Sequence, residues 1–311
     1  MVPPMDLTFT EIASGLRFPE GPVAMADGST VVVEIARGTL SRVQPDGSIE
    51  VIADCGGGPN SAAVGPDGAM YITNNGGCFG FIDLGGLILP GPVPPSWTGG
   101  SIQRVDLATG EVTTLYTECE GRPLRAPNDL VFDSTGGFWF TDHGVRLERS
   151  SDITGIFYAR PDGSSIREVM FPLEAPNGVG LSPDGQTVYA AETHTGRVWR
   201  WSVTSPGHVA PGLPMNGGGT LLYGAGGGHL YDSLAVDAEG YVCVATLGAG
   251  GVTAISPDGT DVTHHPTGDP ITTNICFGGE GLRTAYVTLS GTGRLVSTPW
   301  PRPGLRLQFN A

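Results

Sequence analysis

The 311-residue chain contains no lysine; all 16 of its basic residues are arginine. That absence excludes Schiff-base catalysis and the lysine of a phosphate-binding P-loop. Charge is sparse, at 15% of residues, and lopsided, with a formal net charge of −15 and a pI near 4.6. So acidic a chain repels polyanions, so neither nucleic acid nor an acidic membrane face is an expected partner, while bound cations suit it. No apolar run approaches the length of a membrane span, and no segment carries capped helical periodicity over about ten residues. The opening stretch "MVPPMDLTFTEIASGL" lacks the basic and apolar regions of a secretory leader, so a cytoplasmic protein is expected. The five cysteines, at 55, 78, 119, 243 and 276, are odd in number and show no C-x-x-C spacing, which points to reduced structural thiols. A G-x-S-x-G elbow, an H-E-x-x-H helix and a Rossmann glycine fingerprint are all missing, which makes a serine hydrolase, a zincin or a dinucleotide enzyme a poor fit.

What the chain has in abundance is turns, with 50 glycines and 26 prolines. The tripeptide Pro-Asp-Gly begins at Pro45, Pro66, Pro161, Pro183 and Pro257. In each, proline presets φ, aspartate bonds its own backbone and glycine accepts a positive φ, so each is a hairpin turn. Around these turns a unit repeats: polar anchor, apolar strand, turn, second strand, Gly-rich turn, third strand. The anchors are Glu20, Asn60, Asn128, Asn177, Asp232 and Asn274, spaced 40 to 68 residues apart, as in four-stranded propeller blades with loops. The pattern predicts an all-β, six-bladed β-propeller in one domain over residues 1–311. Segments such as "SIEVIAD" and "IREVMFP" read as fourth strands, and the last unit is short, so "LTFTEIAS" near the N-terminus is expected to complete the C-terminal blade and close the ring. Residues 78–100 interrupt the second unit; they read either as a self-packed loop or as a lid over the channel.

Inner strands of a propeller line one axis, so anchors far apart in sequence become neighbours. Glu20 and Asp232 bring two carboxylates, and Asn128 and Asn177 bring amide oxygens. Such an all-oxygen set suits one hard divalent cation, calcium before magnesium, with zinc or manganese as substitutes. Taken singly, an Asn or Asp anchor reads more simply as an Asx-turn before a strand; it is the recurrence in different units that favours the cation. Arg125 is a candidate for orienting substrate by its planar fork, against the plain reading of a solvated arginine. His143 and His194 follow strands and are candidate substrate contacts, against the plain reading of turn histidines.

The blocks "RFPEGPV", "APNDLVFDSTGGFWFTD", "APNGVGLSPDGQTVYAAET" and "YDSLAVDAEGYVCVAT" resemble the SMP-30/gluconolactonase/LRE-like family of six-bladed propellers, over about Phe18 to Arg294. Its members include sugar lactonases and diisopropylfluorophosphatase-type phosphotriesterases. The resemblance implies a catalytic cation, commonly calcium, held by Glu20, Asn177 and Asp232, with Asn128 either ligating it or contacting substrate. It also implies Asp232 as base or nucleophile. The chain departs from the family pattern at Tyr231-Asp232-Ser233, where Pro-Asp-Gly is usual, and at Cys243, where tryptophan is frequent; both bear on the pocket wall more than on the ligand set. The expected activity is opening of a lactone or other small cyclic ester, by a monomer or small homo-oligomer. A phosphotriesterase and a non-catalytic, metal-fastened binding module are the alternatives.

Overall fold

The computed structural model describes residues 7–310, so the first six residues and the last one of the expected domain lie outside the described residues. Six sheets stand around one axis. Blade 1 comprises Pro19–Ala24, Thr30–Glu34, Thr39–Val43 and Ile49–Asp54 in that order from the axis outward. Blade 2 comprises Pro59–Val64, Met70–Asn74, Ser101–Val105 and Val112–Tyr116, and blade 3 Pro127–Phe132, Phe138–Asp142, Thr154–Ala159 and Ile166–Leu173. Blade 4 has Pro176–Leu181, Thr187–Glu192 and Arg197–Ser205, with Thr220–Gly224 as its outer strand after a loop and the short His208–Val209 also paired to the third strand. Blade 5 comprises Leu230–Val236, Val242–Leu247, Gly251–Ile255 and Val262–Pro266.

Blade 6 closes the ring as the sequence predicts. Thr272–Gly278, Thr284–Leu289 and Arg294–Pro299 are completed by the N-terminal Thr10–Ser14, which pairs antiparallel with Arg294–Pro299. Without that strand, Arg294–Pro299 would present an open edge. Deleting the chain through Ser14 should therefore cost several kcal/mol, read as a melting midpoint lower by roughly 10 °C in calorimetry, and should promote self-association on size exclusion. An unchanged melt would mean that closure contributes little.

The core lies between blades. Each of the six interfaces has its own apolar cluster: Trp139 and Tyr158 of blade 3 meet Val188 and Trp201 of blade 4, for example. Leu295 and Ala13 of blade 6 meet Val32 and Val43 of blade 1. Strands buried on both faces explain why their sequences run apolar almost without alternation.

Two segments leave the repeat. Residues 304–310 run beneath the lower mouth of the channel, where Leu305 N–H donates to Val236 O at 3.2 Å and Phe309 packs edge-on against Phe132 at 5.6 Å. Above them is a cavity of about 490 Å³, lined by Val23, Val131, Leu234 and Ile275 and reaching up to Asp129. Residues 78–100 instead pack at the end where the inner strands begin, against Ala126 and Val145 of blade 3, with Ile88 N–H donating to Gly291 O of blade 6 at 2.8 Å. Among the described residues no helix is long and apolar enough to cross a membrane.

Candidate functional site

All six anchors are buried at the start of the inner strands. A local device aims them. In every blade the register between the first two strands shifts at the anchor: between Glu20 and Val23, Pro59 and Ser61, Pro127 and Leu130, Pro176 and Val179, Tyr231 and Leu234, Thr272 and Asn274. A bulge of this kind turns side chains off the strict alternation and into the channel. Backbone strain accompanies it, since Phe18 and Ala175, just before Pro19-Glu20 and Pro176-Asn177, hold positive φ values of 58° and 48°. The inner strands also approach very closely. A methyl group on Gly21 would lie 2.6 Å from Ser61 Cα, and one on Gly178 would lie 2.5 Å from Leu234 N, so only glycine fits after Glu20 and Asn177.

The turns preceding the anchors are held from the second strands. Glu34 accepts from Arg17 N–H at 2.7 Å, Asp142 from Arg125 and Ala126 N–H at 2.7 Å each, and Glu192 from Glu174 N–H at 2.8 Å. These buried carboxylates are therefore committed to the backbone. Stitches between blades fix the register further, as Thr73 Oγ1 donates to Asn128 O at 2.5 Å and Thr141 Oγ1 to Asn177 O at 2.5 Å.

Hydrogen bonding then sorts the anchors. Asn60 Oδ1 accepts from Asn75 Nδ2 at 2.9 Å, and Asn274 Oδ1 accepts from Ile275 N–H at 2.7 Å, so both oxygens are occupied within the protein. Glu20 uses only Oε2, which accepts from Gly21 N–H and Asn274 Nδ2 at 2.8 Å each. Asn177 Nδ2 donates to Thr193 Oγ1 at 3.0 Å, while its Oδ1 takes only a long 3.3 Å bond from Ser233. Asn128 Oδ1 is buried with no partner at all among the described residues. An orphaned buried carbonyl costs stability unless something fills the position. Glu20 Oε1 and Asn128 Oδ1 take no hydrogen bond among the described residues, Asn177 Oδ1 takes only that long one, and Asp232 meets the Asn177 side chain and the Ser233 backbone.

Burial and nearby like charge disfavour the ionised forms of the anchor carboxylates. Burial, and then Asp232 nearby, push Glu20 well above the usual carboxylate range. Burial likewise raises Asp232 to about 7, with Asn177 opposing and Asp129 adding to the rise. Among the described residues no three His, Cys, Asp or Glu side chains are grouped to hold an ion by themselves. A cation here must draw on the amide oxygens as well, and two carboxylates with two amides form a donor set that fits a hard divalent ion.

Asp129 is the residue that sequence reasoning missed. Alternation from Asn128 would point it away from the axis, but the bulge turns it inward. Its carboxylate accepts from Ser61 Oγ at 2.7 Å, Leu130 N–H at 2.9 Å and Val179 N–H at 3.1 Å, tying blades 2, 3 and 4 together. Burial raises it to about 6 despite those bonds. An acidic residue inside an otherwise apolar strand was the available signal.

The remaining candidates sit around the upper mouth. His143 and His194 meet edge to face, 5.5 Å apart, at the exits of the second strands of blades 3 and 4. His143 Nδ1 lies 3.0 Å from Gly144 O; a carbonyl can only accept, so Nδ1 carries the proton and Nε2 is free. Burial lowers His143 to about 4 and lowers His194 too, so both are neutral at pH 7 and the Glu174 carboxylate, 3.8 Å from His194, forms no ion pair with it. Arg125 finds its partners within the protein: Nε donates to Asp152 Oδ2 at 2.8 Å and the guanidinium lies 4.5 Å over the Trp97 ring. Its fork is a tether between the 78–100 segment and blade 3.

Comparison with known proteins places this geometry in context. Residues 18–291 match the family model described as SMP-30/gluconolactonase/LRE-like region. A gluconolactonase of Zymomonas mobilis is 25% identical over 90% of this chain and 78% of its own length, and the lactonase drp35 of Staphylococcus saprophyticus is 27% identical over 78% and 68%. Among solved structures, a gluconolactonase from Xanthomonas campestris superposes with a TM-score of 0.73 at 21% identity, covering 95% of this chain and 90% of that one. Regucalcin from Agrobacterium tumefaciens, described as a calcium-binding protein, superposes with a TM-score of 0.74 at 19% identity, over 97% and 99%. At such identities the structural likeness speaks for the fold. With the family match running over nearly the whole ring, the chain belongs to the SMP-30/gluconolactonase/LRE-like family.

Proposed function

We propose that the protein is a hydrolase that opens lactones, working with one divalent cation held by Glu20, Asn128, Asn177 and Asp232. The observation that carries this reading is the sorting of the anchors. Six equivalent buried positions begin the inner strands; Asn60 and Asn274 have their oxygens occupied, whereas Asn128 Oδ1 has no partner among the described residues, Glu20 keeps Oε1 unused and Asn177 Oδ1 takes only a long bond. The names of the two sequence relatives, gluconolactonase and lactonase, support the substrate class. Calcium suits the all-oxygen set best.

When bound, the cation would polarise an ester carbonyl and offset the paired carboxylates. The chain's own groups supply the rest. Asp232 is the proton acceptor, a buried carboxylate beside Asn177 whose protonated form burial favours. A neighbouring positive charge would weaken its proton affinity, so Asp232 would act through an oxygen not engaged with the cation. Asn128 and Asn177 fix the carbonyl end of the substrate without adding charge. Neutral His143 offers Nε2 as a hydrogen-bond acceptor to a ring substituent. The buried position, away from bulk water, strengthens each of these contacts.

The test is a panel assayed by acid release. Sugar lactones, alkyl lactones and an organophosphate ester are offered to metal-stripped protein, which is then titrated with calcium, magnesium, manganese and zinc. Lactone opening that appears on adding a cation is the expected result. Full activity in the stripped protein, or cleavage of the organophosphate alone, would overturn the reading.

A further inference from the structure

The ring is tight just below the anchors. There the inner strands close on one another at Gly21 against Ser61 and at Gly178 against Leu234, and the Asp129 carboxylate bridges blades 2, 3 and 4 through Ser61 Oγ and Val179 N–H. Beneath this constriction is the cavity of about 490 Å³. All six inner strands contribute to its wall, from Ser61 and Asp129 at the top to Val236 and Phe277 at the bottom, whereas Glu20, Asn128, Asn177 and Asp232 take no part in it.

The depth of this chamber offers no free charge. Asp129 commits Oδ1 to Ser61 Oγ and Leu130 N–H and Oδ2 to Val179 N–H. Lower down, Asp133 and Asp184 are held by Tyr158 OH and Ser182 Oγ, and Arg306 lies on the tail, so an ion of either sign meets like charge on the way in. What the wall does offer is apolar side chain, with Leu305 and Phe309 of the tail as its floor, and strand edge. Each inner strand is paired on one side only, which leaves N–H and C=O groups along the channel. The tail already uses one of them, as Leu305 N–H donates to Val236 O at 3.2 Å. An entrance lies between blades 3 and 4, where Thr135, Gln186 and Ser205 line the cavity and are exposed.

We propose that this chamber is a second binding site, separate from the anchor cluster, for a small uncharged molecule that is mostly apolar and carries a hydrogen-bonding group for a strand edge. An apolar cavity of roughly 150 Å³ takes benzene, so about 490 Å³ has room for a molecule of about three rings. Such a ligand exchanges water for the apolar wall while its polar group meets the backbone. The proposal does not depend on the lactone-hydrolase reading, which concerns the other side of the constriction.

N-phenylnaphthylamine, an uncharged aromatic amine whose fluorescence rises in apolar surroundings, is the probe. Titrated into the wild type it should bind saturably at a single site per chain, with the same affinity in chelator and in calcium. Truncation after Gly304 removes the floor and should weaken binding by about 10-fold or more. Ser205→Trp, at the entrance, should slow association severalfold in stopped flow; it leaves the tail in place and so reads the same site even where truncation lowers stability. Leu213→Ser removes an apolar side chain that is 78% exposed and outside the cavity, and should change nothing. Binding that does not saturate, or an affinity untouched by truncation, would overturn the proposal. So would unaltered association in Ser205→Trp, an equal loss in Leu213→Ser, or release of the probe by calcium, which would place it among the anchors.

Discussion

Replacing Asp232 by asparagine should cut the turnover of a good lactone substrate by roughly 10²- to 10⁴-fold, the range associated with removing a positioned proton acceptor. The substitution keeps the shape and one oxygen of the side chain but removes both its charge and its ability to take a proton. Stability should move the other way. Asp232 is buried beside Glu20 and Asp129, and its raised pKa of about 7 means that its ionised form is disfavoured where it stands. A neutral amide escapes that penalty, so the cation-free variant should melt no lower, and at alkaline pH higher, than cation-free wild type. Steady-state kinetics with a thermal melt on the same sample separates the two effects. Near-normal turnover in Asp232→Asn would remove this residue from the chemistry.

Stripping the cation should make stability depend on pH in an unusual direction. Asp129 is raised to about 6 and Asp232 to about 7, both first by burial, and Glu20 is raised as well. The folded protein therefore binds more protons than the unfolded chain between about pH 4 and pH 7, so its stability is full below the lower limit and is lost as pH rises through that window. For Asp232 alone the shift corresponds to on the order of 4 kcal/mol, shared with its coupled neighbours. Below about pH 4 the slope reverses, because surface aspartates such as Asp27, Asp67 and Asp258 are held low by neighbouring hydroxyls, backbone amides or arginines and must then be protonated. The chelated protein should thus melt highest near pH 4 to 5 and progressively lower toward pH 8. Calcium at about 100 times its dissociation constant should restore about 2.7 kcal/mol at neutral pH and flatten the profile. Scanning calorimetry across pH, with chelator and with calcium, checks it; two superimposable profiles would count against a cation in this cluster.

Much of the architecture was legible because propeller blades are built from local signals. The Pro-Asp-Gly turns mark hairpins by their own chemistry, and the six polar anchors fall at equivalent places in units that resemble one another. Glu20, Asn128, Asn177 and Asp232 are all buried at the start of their inner strands, as that equivalence implied. What local pattern could not carry was the bulge at each anchor, which depends on pairing with the second strand and which brings Asp129 inward beside Asn128. Nor could composition tell a carboxylate committed to backbone, such as Glu34, Asp142 or Glu192, from one left free. Arg125 shows the same limit: its partners Asp152 and Trp97 come from segments on either side of it in sequence, and only the folded chain shows that the guanidinium is engaged. The course of residues 304–310 under the channel is likewise set by contacts with blades 3 and 5, far from the tail in sequence.

The closing strand also has a meaning in time. Thr10 pairs with Ser297, so Thr10–Ser14 waits for a partner made 287 residues later. At about 5 to 20 residues per second, a ribosome takes roughly a quarter of a minute to a minute to bridge that gap. Through that interval five blades can form and stack while Thr10–Ser14 stays unpaired, an apolar-polar ribbon free to find another chain's open edge. Crowded synthesis therefore offers this protein a route to exchange of N-terminal strands between copies, which ends once Arg294–Pro299 leaves the ribosome and captures its own.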